Sequence, residues 1–381
     1  MDFPQNMSME EAFALAEAEA KLNAALAESK ARFENAEIPN RLNEDWRFGR
    51  PHKYAKELAE LLQSNTPDTG SAEVQGCDEA AVRITADDDD LRQTEMLMPT
   101  IGSDALLGLH LQRFGSGYAL YLEKSYDSPI IINYRSSGLY TPSTFIMAAP
   151  GVQAHIIENH HCENGATIFA VRNIQVAEGA KLKVELHAFC PGVEQVQGRC
   201  MVITNVQNMG GEVRHLTNFL NLDWAREETV AEIYAEGSDT QLYSSNTPLE
   251  HMVLDQHTRQ VHHVGKAVSN LLYKNVLSDK TTATFAGNIY VAPGAHNTDA
   301  YQSNRNLMLS EDATVNSLPG LEILADKVRC SHGSASGPMD EEQLFYLLSR
   351  GIPRHEAHQL IALGFVEEVD NKFNAGFTTE G

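Results

Sequence analysis

The spacing of apolar residues changes along the chain and predicts helices at both ends with strands between them. Residues 8 to 32 are rich in Ala, Leu and Glu, which favour helix, and begin with Ser8-Met9-Glu10-Glu11, the pattern of a capping box. A second helix is predicted over residues 53 to 63, where leucines recur on one side. The N-terminal region is therefore expected to be helical.

From about residue 100, the chain consists of short runs rich in Val, Ile, Thr and Tyr, separated by Gly, Asn and Asp. Such runs are typical of β-strands bounded by turns. Clear examples are residues 130–132, 167–171, 182–186 and 285–291. Too few helical segments lie between them for an alternating βαβ sheet, so this region is predicted to be mainly β.

A tetrad of small and turn-forming residues recurs through the β-region. Its first copy is Ala149-Pro150-Gly151-Val152, and related tetrads begin at residues 177, 235, 292 and 310. The spacings of 18, 57 and 58 residues fit one, three and three turns of about 19 residues, whereas the spacing of 28 requires an insertion. We therefore predict a β-solenoid, and a β-sandwich with similar hairpin turns is the alternative.

The helical pattern returns near the C-terminus. Asp340 is a predicted N-cap, and Gly351 is predicted to end the helix that follows. Pro353 suits the first position of another helix, which is expected to end at Gly364 with frayed residues from 370 to 381. The chain then divides into an N-terminal helical region with a linker, a β-helix core and a C-terminal helical region, over residues 1–99, 100–336 and 337–381.

The charge of the chain narrows its partners. Among 381 residues, 52 are acidic and 29 are basic, which gives a net charge of −23. Such a surface repels nucleic acid and anionic lipid, and no apolar stretch of about 18 residues predicts a transmembrane helix. There is no visible secretory signal, and the five cysteines form no Cys-x-x-Cys pair, so we expect a cytoplasmic protein in a reducing compartment.

The most suggestive chemistry lies at Cys330 and His332, two residues apart in a predicted strand end. Alternate residues of a strand face the same side, so the thiol and the imidazole would project together. Both are ligands of zinc, iron and iron–sulfur species, and a neighbouring Arg329 would lower the pKa of the thiol. Two ligands make half of a tetrahedral site, so others would have to come from another chain or other coils. A buried cysteine beside a hydrogen-bonded histidine is the simpler interpretation.

Other histidine pairs predict less. In His160-His161-Cys162 and His262-His263, adjacent strand residues point to opposite faces, so we expect surface or core residues there. The chain has no Gly-x-x-x-x-Gly-Lys-Ser/Thr loop, so no nucleotide is expected to bind it in that way. No role is predicted for the remaining cysteines, Cys77, Cys162, Cys190 and Cys200.

Three segments of the C-terminal sequence closely resemble the SufB/SufD family of iron–sulfur cluster assembly scaffolds. They are YQSNRNL at residues 301–307, VRCSHG at residues 328–333 and LFYLLSRGI at residues 344–352. Near the N-terminus, residues 44–47 are similar to the family's entry segment. The chain is shorter than SufB usually is and lacks the Asn-Cys-Ser-Ala-Pro text of SufB, so the resemblance favours the SufD branch. Residues 334–338 depart from the family's usual text but leave Cys330 and His332 in place.

The resemblance implies a right-handed parallel β-helix, flanked by N-terminal and C-terminal helical regions, that acts as a non-catalytic scaffold. It implies pairing with a SufB-like subunit, docking of a SufC-like ATPase on helices at about 339–366, and no nucleotide bound by this chain. Cys330 and His332 match family positions where a transient iron–sulfur cluster is shared with the partner, and His332 is the better candidate ligand. Whether the chain forms a homodimer when SufB is absent stays open.

Two other classes of protein remain as alternatives. A β-helical carbohydrate-active enzyme would line a groove with paired carboxylates, for which Asp255 and Asp299 are candidates. Surface turns explain the same two residues equally well. A stand-alone metal-binding β protein would instead bind metal tightly without a partner.

Overall fold

The structure is a computed structural model that describes residues 9–48, 51–77, 80–85, 88–113, 115–191, 198–248 and 250–375. The α-helices among these residues are α1 (Met9–Asn35), α2 (Pro51–Gln63), α3 (Asp89–Met96), α4 (Asp104–Arg113), α5 (Glu341–Ser349) and α6 (Arg354–Asn374). A short 3-10 helix at Glu44–Trp46 precedes α2. The predicted capping residue Ser8 lies outside the described residues.

Strands fill the region between the helices. In chain order they are β1 (Gly70–Gln75), β2 (Ala81–Thr85), β3 (Ser116–Leu122), β4 (Ile130–Ser136), β5 (Leu139–Tyr140), β6 (Ser143–Ala148), β7 (Gln153–Cys162), β8 (Thr167–Val176), β9 (Lys181–Phe189), β10 (Arg199–Asn208), β11 (Glu212–Leu220), β12 (Trp224–Ile233), β13 (Asp239–Asn246), β14 (Val253–His262), β15 (Val268–Leu277), β16 (Thr282–Val291), β17 (Asp299–Met308), β18 (Thr314–Ile323) and β19 (Arg329–Pro338).

These strands form two sheets that are parallel except at one end, and from β6 onward successive strands alternate between the sheets. Sheet A runs in the order β18-β16-β14-β12-β10-β8-β6-β3-β2, and sheet B runs β1-β4-β7-β9-β11-β13-β15-β17-β19. Each coil therefore adds one strand to each sheet, which confirms the predicted solenoid with helices at both ends. We call the space between the sheets the lumen.

The predicted coil length of about 19 residues is wrong. Trp224 lies opposite Val253, and Val253 lies opposite Thr282, so one coil takes 29 residues in this part. The tetrad spacing of 28 is therefore a single coil, and the spacings of 57 and 58 are two coils each. The tetrad at residue 310 lies at the opposite corner, between β17 and β18, which explains its short spacing of 18 residues.

The lumen of the first coils is filled by apolar side chains. Leu120, Ile130, Ile132 and Ile146 are fully buried members of one large cluster. Burying such side chains is worth about 1.5–3 kcal/mol each, so this cluster is a main source of stability. Helices α2 and α4 cover the outer face of sheet A, and α6 covers the outer face of sheet B.

The helices at the two ends differ in part from the prediction. Asp340 caps α5, because its carboxylate accepts a hydrogen bond of 2.8 Å from the Glu342 amide, and Gly351 follows that helix with a φ of +83°. Helix α6 continues through Gly364 to Asn374, so the predicted end at Gly364 is wrong, as is fraying from residue 370 to 374. Residues 376–381 lie outside the described part. Helices α3 and α4 were not predicted.

Candidate functional site

Cys330 and His332 lie on β19, the last strand of sheet B. In the register of the sheet, Cys330 stands opposite Ala300 and His332 stands opposite Gln302. Ala300 and Gln302 are buried and point into the lumen. Since alternate residues of a strand share a face, the thiol and the imidazole both lie on the lumen face of the terminal strand.

The end of the solenoid at β18 and β19 is not covered by other described residues. Both strands are terminal in their sheets, and their side chains are exposed or half-buried. Leu321, on the lumen face of β18, is 37% exposed. We call this region the open end. Two unpaired strand edges with exposed apolar side chains are a surface on which another chain can pack.

Cys330 is half-buried and His332 is exposed at the open end. Burial raises the pKa of the Cys330 thiol, a hydrogen bond from the Ala300 amide lowers it, and the Asp299 carboxylate raises it. Arg329 pairs with Asp299 through its guanidinium group. The expectation that Arg329 would lower this pKa is therefore wrong, because burial is the largest influence on the thiol.

A polar layer lies directly below the two candidate ligands. The Gln302 side chain crosses the lumen and donates hydrogen bonds of 3.2 Å and 3.1 Å to the carbonyl oxygens of Gly287 and Gly320. A Cβ at Gly287 would lie 2.4 Å from Gln302 Oε1, so a side chain at this position would displace the Gln302 amide. The Ser334 hydroxyl bonds to Ser317 at 2.7 Å. Polar groups thus occupy this part of the lumen, beside an apolar cluster that includes Ile289, Ala300 and Cys330.

The donors at the open end do not make a complete metal site within one chain. No group of three or more His, Cys, Asp or Glu side chains suited to a metal ion occurs among the described residues. Cys330 and His332 supply soft and intermediate ligands of the types that hold iron–sulfur species. The arrangement is suited to sharing a group with a second protein.

In the other two histidine pairs, the adjacent residues point to opposite faces of the strand, as predicted. His160 is buried in the lumen, where its Nε2 lies 2.6 Å from Glu158, whereas His161 packs edge-on against Phe189. His262 is buried against Ser269, at 2.8 Å, and its neighbour His263 stacks on Tyr234.

A buried charge network in the lumen was not predicted. The Arg172 guanidinium donates to Glu158 at 3.1 Å and contacts His215 at 2.7 Å. Burial opposes the charge on Glu158, but Arg172 and His160 hold the pKa of the carboxyl at about 2. Cys200 Sγ lies 3.8 Å from His160 Nδ1, and burial raises the pKa of this thiol. Such a protonated, enclosed thiol is a packing residue.

A second buried network joins the N-terminal segment to the outer face of sheet A. Arg226 is fully buried, pairs with Glu228 and Asp255, and stacks under Trp46 with its guanidinium carbon 3.8 Å from the ring centre. It also donates to the carbonyl oxygens of Asp45 and Ile101, at 3.0 Å each. The predicted entry segment is therefore fixed to the solenoid by one arginine.

Asp255 and Asp299 do not form the carboxylate pair of a carbohydrate-active groove. Asp255 lies on sheet A and bonds to Arg226 and His257. Asp299 begins β17 in sheet B and pairs with Arg329. Each carboxylate is held by an ion pair in a different sheet.

The C-terminal helices present an apolar surface to solvent. Phe345 and Tyr346 on α5 are 72% and 56% exposed, and Leu360 and Leu363 on α6 are 50% and 62% exposed. Exposed large apolar side chains on one pair of helices make that pair a candidate interaction surface. No described helix is long and apolar enough to cross a membrane.

A family model described as "SUF system FeS cluster assembly, SufBD core domain" matches residues 130–365. That range includes the β-solenoid from β4 onward and most of α6. The match therefore contains both candidate ligands and the exposed surface of the C-terminal helices.

Individual relatives match shorter parts of the chain. The iron–sulfur cluster assembly protein SufD of Escherichia coli is 40% identical over 144 residues, which are 38% of this chain and 34% of that protein. SufD of Bacillus subtilis is 40% identical over 116 residues, or 30% of this chain and 26% of that protein. Protein ABCI7, chloroplastic, of Arabidopsis thaliana is 36% identical over 135 residues, or 35% and 28%. The matches thus span about a third or less of these relatives.

Proposed function

Because the chain belongs to the SufBD family of the SUF iron–sulfur cluster assembly system, on its SufD branch, we propose that it is a non-catalytic scaffold subunit. In this proposal, a SufB-like subunit covers the open end, and Cys330 and His332 become ligands of a nascent iron–sulfur cluster at the junction. A SufC-like ATPase docks on the C-terminal helices. The cluster is cargo that is passed on and not a resident cofactor.

The observation that carries the proposal is the position of the two donors on the lumen face of the last strand. The sheets end at β18 and β19 with free edges, so a partner strand can extend either sheet through backbone hydrogen bonds. A partner that continued the solenoid would lie directly over Cys330 and His332. Ligands from the partner could then complete a coordination shell that this chain leaves half filled.

The protonation of the Cys330 thiol favours cluster assembly only after this chain has paired with the SufB-like subunit. Its pKa is raised above the ordinary value of a thiol, so the isolated chain holds it protonated at neutral pH. Metal binding requires the thiolate and releases the proton. The isolated subunit is therefore expected to bind iron weakly, whereas a cationic iron centre at the junction would stabilise the thiolate.

The C-terminal helices are suited to docking because they are fixed to the solenoid on one side and apolar on the other. Lys274, which is buried, bonds to Glu368 at 2.5 Å and to the Phe365 carbonyl at 2.8 Å. Arg214 donates to the carbonyl oxygen of Phe373 at 3.1 Å, near the end of α6. A partner bound to Phe345 and Leu363 would therefore be held in a defined position relative to the solenoid.

The test is co-purification of the chain with its native partners, followed by iron and acid-labile sulfide analysis. His332→Ala should leave folding and complex mass unchanged, because the side chain is exposed in the isolated chain. It should lower the iron and sulfide content of the complex severalfold. His263→Ala is the matched control, because His263 lies on the outer face of sheet A and is 37% exposed at its side chain.

The two parts of the proposal can fail separately. Full iron and sulfide loading in the His332→Ala complex would remove this residue from the mechanism. An intact pairing with the SufB-like subunit after Leu321→Arg, which places a charge on the open end, would remove the open end from the interface.

A further inference from the structure

A cleft of about 440 Å³ lies on the outer face of sheet A, away from the lumen and from both candidate ligands. Its roof is formed by residues 44–48 of the entry segment and by residues 100–102. Its floor is formed by outward-facing residues of β14, β16 and β18. Volumes of this size are typical of sites for small molecules.

A buried histidine with an unused nitrogen lies in the floor. His257 is 2% exposed, and its Nε2 donates to Asp255 Oδ1 at 2.8 Å. Its Nδ1 is buried and has no hydrogen-bond partner among the protein atoms. In the tautomer that carries its proton on Nε2, Nδ1 holds a lone pair and is an acceptor. Buried polar atoms in proteins are almost always paired, so this nitrogen calls for a donor from outside the chain.

The charges of the cleft are graded along β14. At one end, Arg226 lies beside Asp255 in the register and bonds to the Asp45 carbonyl, which places Glu44 and Asp45 above this end. At the other end, Arg259 follows His257 by two residues, so it lies on the same face about 6.6 Å further along. Carboxylates therefore surround one end, and an exposed guanidinium lies at the other.

The middle of the floor is small and neutral. Ala286 and Gly320 line it, and Asn288 and Thr284 add neutral polar groups near its two ends. A single cation at Arg259 is too little for a nucleotide's phosphates. A metal ion is also disfavoured, since no suitable group of three or more donors occurs among the described residues.

We propose that this cleft binds a small zwitterion with an amine and a carboxylate, such as an α-amino acid or a dipeptide. The ammonium group lies between His257 Nδ1 and the carboxylates of Glu44 and Asp45. The carboxylate of the ligand pairs with the fork of Arg259, the side chain best suited to that group. Ala286 leaves room for the carbon chain between them.

The experiment titrates the full chain with the twenty free L-amino acids and a set of dipeptides, observed by saturation-transfer NMR and calorimetry. Ala286→Leu adds a bulky side chain to the middle of the floor, beside His257 in the register. Thr282→Leu is the matched control, because Thr282 lies on the same strand and faces the same side but outside the cleft. Arg259→Gln removes the cation and keeps the polar head.

The expected result is binding with a Kd of about 1 mM or tighter by wild type and Thr282→Leu. Binding should be lost in Ala286→Leu and weakened at least about tenfold in Arg259→Gln, the loss expected for one charge-assisted pair. The proposal is overturned if no amino acid or dipeptide binds wild type. It is equally overturned if Ala286→Leu binds as wild type does, or if Thr282→Leu also abolishes binding.

Discussion

The two ends of the solenoid are built in opposite ways. At the N-terminal end, β1 pairs antiparallel with β4 and β2 pairs antiparallel with β3, whereas the coils that follow are parallel. Ala72 and Val74 of β1, with Ala81 of β2, pack onto the apolar lumen. We call this the capped end. At the open end, β18 and β19 keep the parallel pairing of the coils and no described residue closes the lumen.

The difference shows that the chain closes the solenoid itself at the capped end and leaves the open end available to another chain. A solenoid exposes unpaired sheet edges at both ends, and natural proteins usually cover them. At the capped end, the antiparallel strands β1 and β2 cover the sheet edges and stabilise the isolated chain. At the open end, β18 and β19 retain the parallel register of the coils. The lumen there contains small side chains and the polar layer around Gln302. These features are suited to a surface that a partner buries.

Truncating one lumen side chain at each end should give the largest difference. Ile132, at the capped end, is fully buried, so Ile132→Ala should lower the free energy of unfolding by about 2–5 kcal/mol. Leu321, at the open end, is 37% exposed, so Leu321→Ala should change it by less than about 0.5 kcal/mol. Urea denaturation of the isolated chain measures both.

The same pair of variants sharpens the comparison when the partner is present. Leu321→Ala should then weaken the complex although it leaves the isolated chain intact. Equal losses of stability for the two variants in the isolated chain would mean that the open end is already closed by the chain itself.

A smaller effect of pH should come from a buried pair of side chains on α3 and α4. Burial raises the pKa of Glu95 to about 8, and burial lowers the pKa of His110, 4.0 Å away, to about 4. A carboxyl with a raised pKa stabilises the fold at low pH, and this contribution is lost as the pH rises toward 8. A histidine with a lowered pKa instead costs stability as the pH falls below 6.5.

The two groups act in opposite directions between pH 4.5 and 6.5, and Glu95 acts alone between 6.5 and 8. In that upper window, the free energy of unfolding should fall by about 1–2 kcal/mol. Glu95→Gln should flatten the slope, whereas Asp90→Asn, an exposed change on the same helix, should not. An unchanged slope in Glu95→Gln would contradict the assignment.

Much of this contrast could be anticipated from sequence, but not the arrangement inside the coils. Strand composition and repeated Gly turns indicated the solenoid, and the Cys330–His332 spacing placed both groups on one face. The coil length was misjudged because each coil has two corners that carry similar turn residues, as at 292 and 310. Only the pairing register separates one corner from the other.

Buried charges were beyond sequence reasoning for a physical reason. Arg172 and Glu158 lie 14 residues apart on different sheets, and each alone reads as a surface residue of an alternating strand. Arg226 and Asp255 meet only because one coil takes 29 residues. Gly364 predicts a helix end, yet packing of α6 on sheet B outweighs the cost of about 1 kcal/mol for a helical glycine.

The smallest predicted effect concerns the thiol at the open end. Asp299 is the lesser of the two influences that raise the pKa of Cys330, after burial. Asp299→Asn should lower that pKa by a few tenths of a unit and raise the rate of alkylation by iodoacetamide about two- to threefold at pH 7.5. Asp312→Asn, a change in an exposed turn, is the control.

Cys162, Cys190 and Cys200 are buried and should stay unlabelled until unfolding, which makes them an internal reference. An unchanged rate in Asp299→Asn would show that the carboxylate does not reach the thiol. If the SufB-like subunit binds the open end, adding it should suppress alkylation of Cys330 in both wild type and Asp299→Asn.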